Sequence, residues 1–287
     1  IPPSTTAIFY ALLTDESVGK LFMSGIIPGV ILTLAYFVII YIWATIRPSV
    51  APMLPADIKF TWGERFKSIA PIVPIMIIFL FMLGGIYMGW FSPTEAAGMG
   101  SFSVLVVCLV LRKLSWKTFH EGLLNTARSA GMILILISAA FIYTHTMALS
   151  KFSVEVQDII VNAGLGMLPV TYTFVVVFIL AGMFFDLWAM IILFTPIFYP
   201  IITGHPGAPP MAGIWLGCMF MLLCDLAAIT PPMALCLYIT QMIDGCPTID
   251  VIKGTIPFYI TCAGMLVLIV QFPFIATWLP GKMIGGG

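Results

Sequence analysis

Apolar residues do not recur at one helical face in this chain; they run on. Residues 21–46, 68–90, 93–111, 129–149 and 255–279 are each almost wholly apolar and long enough to cross a bilayer, since a span needs about 20 such residues to cover ~30 Å of hydrocarbon. Residues 1–13 are too short for a span and begin with a proline pair. Residues 116–128 (WKTFHEGLLNTAR) interleave polar and apolar positions at helical spacing, which predicts a short amphipathic helix at the interface. Two further stretches break the pattern. Residues 168–203 stay mostly apolar for about 54 Å as helix, interrupted only by GMFFD at 182–186 and by Pro196. Residues 211–243 carry DLAAITPPMALCLYITQMI, with two prolines between legs of about 17 and 11 residues, each short of a crossing. The first predicts two short helices or one broken traverse. The second predicts a re-entrant hairpin, because irregular backbone at that depth survives only when protein or a wet cavity covers it.

Composition fits this picture. The hydrophobic share is 61 % and the charged share 8 % of 287 residues, against about 25 % charged in soluble domains. Net charge is zero, so no basic field exists for nucleic acid. The six cysteines form no C-x-x-C, and four lie in strongly apolar stretches; they read as small buried hydrophobes. Arg47, Lys59, Arg65 and Lys67 share one loop, and Arg112, Lys113, Lys117 and Arg128 another. Two crossings separate these loops, so both fit the cytoplasmic side, with the uncharged FSP turn opposite.

The chain repeats itself. At an offset of 229, Pro2-Pro3 falls on Pro231-Pro232, Asp15 on Asp244, Gly25 on Gly254 and Ile27-Pro28 on Ile256-Pro257. Breakers and charges held in one register mark a duplication, and paired discontinuous segments are the architecture of secondary transporters. The chain opens IPPSTT with neither an initiator Met nor a charged leader. It therefore reads as the later part of a longer polypeptide, one complete unit plus the tail of another. Six crossings between the two Asp segments is an even number, whereas inverted topology needs an odd one; counting 168–203 as a single broken traverse restores it. The fold class expected is an all-α polytopic membrane protein with internal repeats, discontinuous helices and re-entrant hairpins.

Candidate chemistry sits at the breaks. A proline has no N–H and clashes one turn back, so each pair frees backbone carbonyls. At a tip facing a cavity these suit a hard cation such as Na⁺, with Ser4, Thr5 and Thr230 adding hydroxyl oxygens; the plainer reading is a kinked helix. Asp225 either lends charge to a cation site or holds the hairpin to a neighbour. Asp186, after Gly182, caps the following helix, with or without a further role. Ser92, Pro93 and Glu95 make a capping box. The polar group Tyr143, Thr144, His145 and Thr146 reads chiefly as interhelical packing, and Arg128 as an interface anchor. No catalytic residue is assigned, since H-x-x-E-H, G-x-S-x-G, Walker and dinucleotide signatures are missing, and the lack of a nucleotide site points to an ion gradient as the driving force.

The motifs IPPSTTAIFYALLTDESVGKLFMSGIIPG (1–29), FSPTEAAGMG (91–100), GMFFDLWAMIILFTPIFYPI (182–201), ITPPMALCLYITQMI (229–243) and TIPFYI…FPFIATWLP (255–280) resemble the large membrane subunit of TRAP transporters, the tripartite ATP-independent periplasmic systems, of the dicarboxylate type. That resemblance implies a bacterial inner-membrane, Na⁺-coupled elevator importing a small organic anion, with a small membrane subunit and a periplasmic binding protein as partners and no cofactor besides the coupling ion. It implies a first hairpin leg at 1–20, scaffold at 21–128, a boundary segment at 129–167, a transport domain at 168–254 and a terminal helix at 255–287. It places Pro2, Pro3, Ser4, Thr5, Thr230, Pro231, Pro232 and Met233 at the hairpin tips near substrate and sodium, with Gly182, Asp186 and Asp225 in the transport domain and Na⁺ near Ser4, Gly182 and Thr230. The chain departs from the family in having TPPMA for TPPVG and Ala227 where a glycine is usual. The rival reading from the residues alone is an ion-translocating or structural subunit of a larger complex.

Overall fold

A computed structural model describes residues 1–46, 61–232 and 234–282. These residues fold as helices α1 (Thr5–Thr14), α2 (Val18–Ser24), α3 (Ile26–Ile46), α4 (Trp62–Ile69), α5 (Val73–Tyr87), α6 (Pro93–Val110), α7 (Trp116–Ser150), α8 (Phe152–Asn162), α9 (Met167–Gly182), α10 (Leu187–Thr203), α11 (Ala212–Ile229), α12 (Leu235–Asp244), α13 (Thr248–Gln271) and α14 (Phe274–Thr277), closed by a 3-10 turn at Pro280–Lys282. Among the described residues, five helical segments are long and apolar enough to cross a membrane, or six if the α4–α5 pair, bent by 56°, is one span. The molecule is an all-α polytopic membrane protein with discontinuous helices.

The breaks fall where the sequence places them. The apolar run at 168–203 splits into α9 and α10 across Met183–Asp186, and α9 and α10, at 16 and 17 residues, are each shorter than a comfortable span. The prolines at 231–232 separate an 18-residue α11 from a 10-residue α12. The capping box forms as written: Ser92 Oγ accepts from the Glu95 N–H at 3.3 Å, and the Ser92 N–H donates back to Glu95 Oε2 at 2.8 Å. The amphipathic stretch 116–128 is not a separate helix. It is the first third of α7, which runs unbroken for 35 residues, because neither proline nor a left-handed turn occurs between Trp116 and Ser150 to stop it. Arg128 thus lies within a long helix and not at a helix end. Arg47, Lys59, Met233 and the terminal Met283–Gly287 lie outside the described residues.

The repeat is visible in the backbone. Each proline pair carries a cis bond and precedes a 10-residue helix, α1 or α12. Both helices end in a left-handed residue, Asp15 at φ 56° and Gly245 at φ 70°. A long apolar segment follows each, α2–α3 or α13, with Pro28 or Pro257 inside it.

By packing, the described residues divide into two units, residues 1–39 with 136–282, and residues 40–46 with 61–135; both boundaries fall inside helices, α3 and α7. In the first unit α11 is the central pillar, buried along nearly its whole length and packed on α1, α2, α9, α10, α12 and α13. Its Phe220 lies 5.3 Å from Phe174, 5.1 Å from Phe178 and 5.2 Å from Tyr10 by ring centroids. Polar pins hold the pillar: the Tyr10 hydroxyl donates to the Gly213 carbonyl at 2.8 Å, and Trp215 Nε1 donates to the Ile269 carbonyl at 2.8 Å. In the second unit α5 lies on α6, where Gly85 meets Phe91 and Gly100 meets Met82; small residues let membrane helices approach this closely.

Candidate functional site

The proline pairs are placed by α11. Pro2 is buried beside Gly25, whose Cβ position lies 3.7 Å from Pro2 Cδ and 3.6 Å from Met221 Cε on α11. Ile1 lies against Gly29, with its Cα 3.5 Å from that glycine's Cβ position. Ser4 forms the N-cap of α1, its carbonyl accepting from the Ile8 N–H at 3.2 Å while its side chain makes no capping bond. Thr5 opens α1 on an exposed face.

The second pair ends α11 itself. Thr230 is the C-cap, 8 % exposed, and its hydroxyl donates to the Leu226 carbonyl at 2.6 Å. Pro231 and Pro232 are exposed. The Pro232 carbonyl is already engaged, accepting from the Tyr238 hydroxyl at 2.9 Å. Tyr238 was not marked by the sequence as part of the tip; its place one turn into α12 is the signal that would have found it. A hollow of about 180 Å³ opens beside this tip, walled by Thr230, Pro231 and Leu237 on one side and Ile252, Thr255 and Tyr259 on the other.

The break between α9 and α10 reaches the same helix. Gly182 is buried, and a Cβ there would stand 2.7 Å from Ala227 Cβ and 3.3 Å from Ala227 Cα, so the end of α9 presses on α11 three residues before Thr230. Asp186 caps α10, accepting from the Ala189 N–H at 3.3 Å. It is exposed, and among the described residues it makes no hydrogen bond to either tip. Phe9 of α1 and Trp188 in the first turn of α10 meet at 4.8 Å between centroids. Asp225, in the second half of α11, is exposed. His145 is exposed on α7.

Pro2, Gly182, Asp225, Thr230 and Pro231 therefore gather along the second half of one buried helix. Two proline tips and a helix break are brought to it from three separate parts of the sequence. These residues carry oxygen atoms and no thiolate or imidazole, and among the described residues no group of three or more His, Cys, Asp or Glu could hold a metal ion.

Comparison with known proteins bears on this geometry. The family model for the DctM component of tripartite ATP-independent periplasmic transporters matches residues 1–275. The chain is similar to the C4-dicarboxylate TRAP transporter large permease protein of Pseudomonas aeruginosa, with 30 % identity over 98 % of this chain and 64 % of that protein. It is also similar to the sialic acid TRAP transporter permease of Haemophilus influenzae, with 30 % identity over 99 % of this chain and 45 % of that protein. The ectoine TRAP transporter large permease of Halomonas elongata is 29 % identical over 97 % of this chain and 64 % of that protein. The chain spans less than two thirds of the length of each of these three relatives. Their solutes differ, so the match is to the family as a whole and not to a dicarboxylate type.

Proposed function

The chain belongs to the DctM-component family of tripartite ATP-independent periplasmic transporters, and we propose that it forms the solute-carrying part of a sodium-coupled permease for a small organic anion. It is a multi-pass inner-membrane protein of a transport family, not an enzyme. The observation that carries the reading is the convergence of both proline tips and the α9–α10 break on the second half of α11.

Sodium bound there meets backbone carbonyls freed by the prolines, the Thr230 and Ser4 oxygens, and the residues around Gly182. Its charge offsets the local negative potential and orders both tips. The anion then binds against the loaded tips near Ser4, Thr5, Asp186, Thr230 and Met233, and the hairpin-bearing body, residues 1–20 and 168–254, carries it across as a unit. Residues 21–128 serve as scaffold, with 129–167 as the boundary and 255–287 as the terminal helix. Coupling requires that the closed state be favoured only when ion and solute are both bound. A small membrane subunit and a periplasmic binding protein complete the system, and the latter delivers the solute. The names of relatives, for C4-dicarboxylate, sialic acid and ectoine, support a shared machine with selectivity set by delivery.

The test is uptake of labelled succinate and sialic acid into proteoliposomes holding the full-length permease and its partners. Uptake that depends on a sodium gradient supports the reading; uptake unchanged when choline replaces sodium removes it.

A further inference from the structure

A hollow lies away from the tips. It encloses about 330 Å³ between α1, α7, α8 and α10, lined by Leu13, Thr144, Met147, Lys151, Thr195 and Pro200 among others. Leu13 is nine residues along α1 from Ser4, and Thr195 nine along α10 from Asp186, so the hollow sits about 13 Å down both helices from the tip region.

Its hydroxyls divide into two groups. Ser153 donates to the Pro196 carbonyl at 3.0 Å, an acceptor left open because Pro200 has no N–H to offer it. The Tyr199 hydroxyl donates to Glu16 Oε1 at 3.0 Å. The hydroxyls of Thr144 and Thr195 are buried and have no partner. That is unusual here. Thr14, Thr171, Thr203, Thr230 and Thr261 all turn their hydroxyls back to the carbonyl four residues earlier, at 2.6–2.9 Å, the default for a threonine in an apolar helix. Two threonines on different helices decline that bond, and both line one cavity. Thr195 is 1 % exposed, so bulk water does not reach it, and an unmet hydroxyl at such depth is costly.

The mouth carries a cation. Lys151 sits at the α7–α8 junction, where its φ of 54° turns the chain. Among the described residues the only ion pair is Lys117–Glu121, so Lys151 has no carboxylate partner. Thr144 and Met147 or Ala148 share one face of α7, and Lys151 directly follows its last residue, about 10 Å along the axis from Thr144. Between the two polar ends the wall is apolar: Leu13, Met147, Val154, Pro196 and Pro200.

We infer that this hollow is a binding site, separate from the tips, for a small monocarboxylate with an apolar body and a neutral oxygen at the end remote from its acid. The acid meets Lys151, the body fills the apolar wall, and the far oxygen takes the hydroxyls of Thr144 and Thr195. A dianion fits worse, because the deep end offers only neutral groups to a second charge. A cation is repelled at the mouth. A volume near 300 Å³ is the lower end for ligand sites, which suits a single small ring or short chain.

Saturation-transfer NMR with 4-hydroxybenzoate, on the purified full-length permease in nanodiscs and in choline buffer, tests this. Omitting sodium leaves the coupled site at the tips unloaded, so failure here and failure of sodium-dependent uptake are separate results. Binding is expected, with Kd raised about tenfold in Thr195→Val and in Lys151→Gln, and lost in the double variant Thr144→Val/Thr195→Val. Benzoate, which lacks the hydroxyl, 4-hydroxybenzamide, which lacks the charge, and terephthalate, which has two, are each expected to bind about tenfold more weakly. The valines remove only hydroxyls that bond nothing in the protein, and Lys151 is exposed, so the thermal midpoint is expected not to fall in any variant and to rise where a buried hydroxyl is removed. No transfer from 4-hydroxybenzoate, or equal Kd in wild type and variants, overturns the inference and leaves water as the partner of the two threonines.

Discussion

Substituting Gly217 by alanine tests whether α1 is held to α11 as tightly as the packing requires. A Cβ at Gly217 would approach Tyr10 Cε1 to 2.7 Å and Tyr10 Cδ1 to 2.9 Å, and would run into Leu21 Cδ2. Neither neighbour has room to retreat. Tyr10 and Leu21 are both fully buried, and the Tyr10 ring is anchored by its hydroxyl on the Gly213 carbonyl, 2.8 Å away. Overpacking of this kind costs about 1–3 kcal/mol, and a ring forced off its hydrogen bond loses about 1 kcal/mol more. The alanine recovers up to ~1 kcal/mol of helix propensity relative to glycine. The net expectation is a loss of about 1–3 kcal/mol. Gly264, in the middle of α13, is the control: nothing lies within 4 Å of its Cβ position, so Gly264→Ala keeps the propensity gain of up to ~1 kcal/mol and no penalty. Reversible unfolding of the purified protein in mixed micelles, followed by tryptophan fluorescence, measures both; Trp215 sits two residues from the perturbed site. Two substitutions of one chemistry are thus expected to move stability in opposite directions. Equal shifts, or a Gly217→Ala protein as stable as wild type, would refute the packing argument.

The remaining predictions concern the cap, a loop lock and the α9–α11 contact. Asp186→Ala is expected to lose about 1 kcal/mol with its cap, whereas Asp186→Asn keeps the cap and the stability. Uptake that falls in the asparagine variant at unchanged stability assigns the charge to transport, and unchanged uptake leaves the residue as a cap alone. His205 accepts the Gly207 N–H on Nδ1 at 3.0 Å and contacts the Leu165 carbonyl through Nε2 at 3.0 Å, so His205→Ala is expected to cost about 1–3 kcal/mol by thermal unfolding; no loss would mean that water replaces both bonds. Gly182→Ala places a Cβ 2.7 Å from Ala227 Cβ and is expected to cost about 1–3 kcal/mol. Adding Ala227→Gly removes the opposing methyl, so the double variant is expected to be more stable than the sum of the singles by about 1 kcal/mol, and additivity would break the contact.

Punctuation was legible in this chain, and facing was not. The proline pairs, the Ser92–Glu95 box, the Asp186 cap and the split at 183–186 are local devices written in a few adjacent residues, and each appears where the sequence puts it. Which side of a helix meets protein is different. The best windows of α11 and of the α2–α3 segment have mean hydropathies of 2.0 and 2.3, yet 72 % of the first is buried inside the protein and 6 % of the second. Lipid tails are as apolar as leucine, so polarity carries no contrast between a core face and a lipid face. That is why Tyr10, Gly217, Trp215 and Tyr238 passed unmarked, although they pin the tips in place. The continuity of α7 was missed for a related reason: a change from amphipathic to apolar pattern marks a change of surroundings, which a helix can cross without breaking.

The burial of α11 bears on how binding at one place is felt at another. Coupling needs an element whose arrangement both sites bias. The first tip reaches α11 through Pro2, Gly25 and Met221, the α9 break through Gly182 and Ala227, and the second tip is the end of α11 itself. The Gly182–Ala227 contact is the tight one, 2.7 Å from a Cβ at Gly182 to Ala227 Cβ, whereas the first tip reaches α11 through the flexible Met221 side chain at ordinary van der Waals distance. Under the proposed sodium coupling, ordering of the second tip is therefore expected to be felt first at the α9 break, through Ala227 and Gly182. The Ala227 methyl lies directly against Gly182 and is the group that tightens this junction.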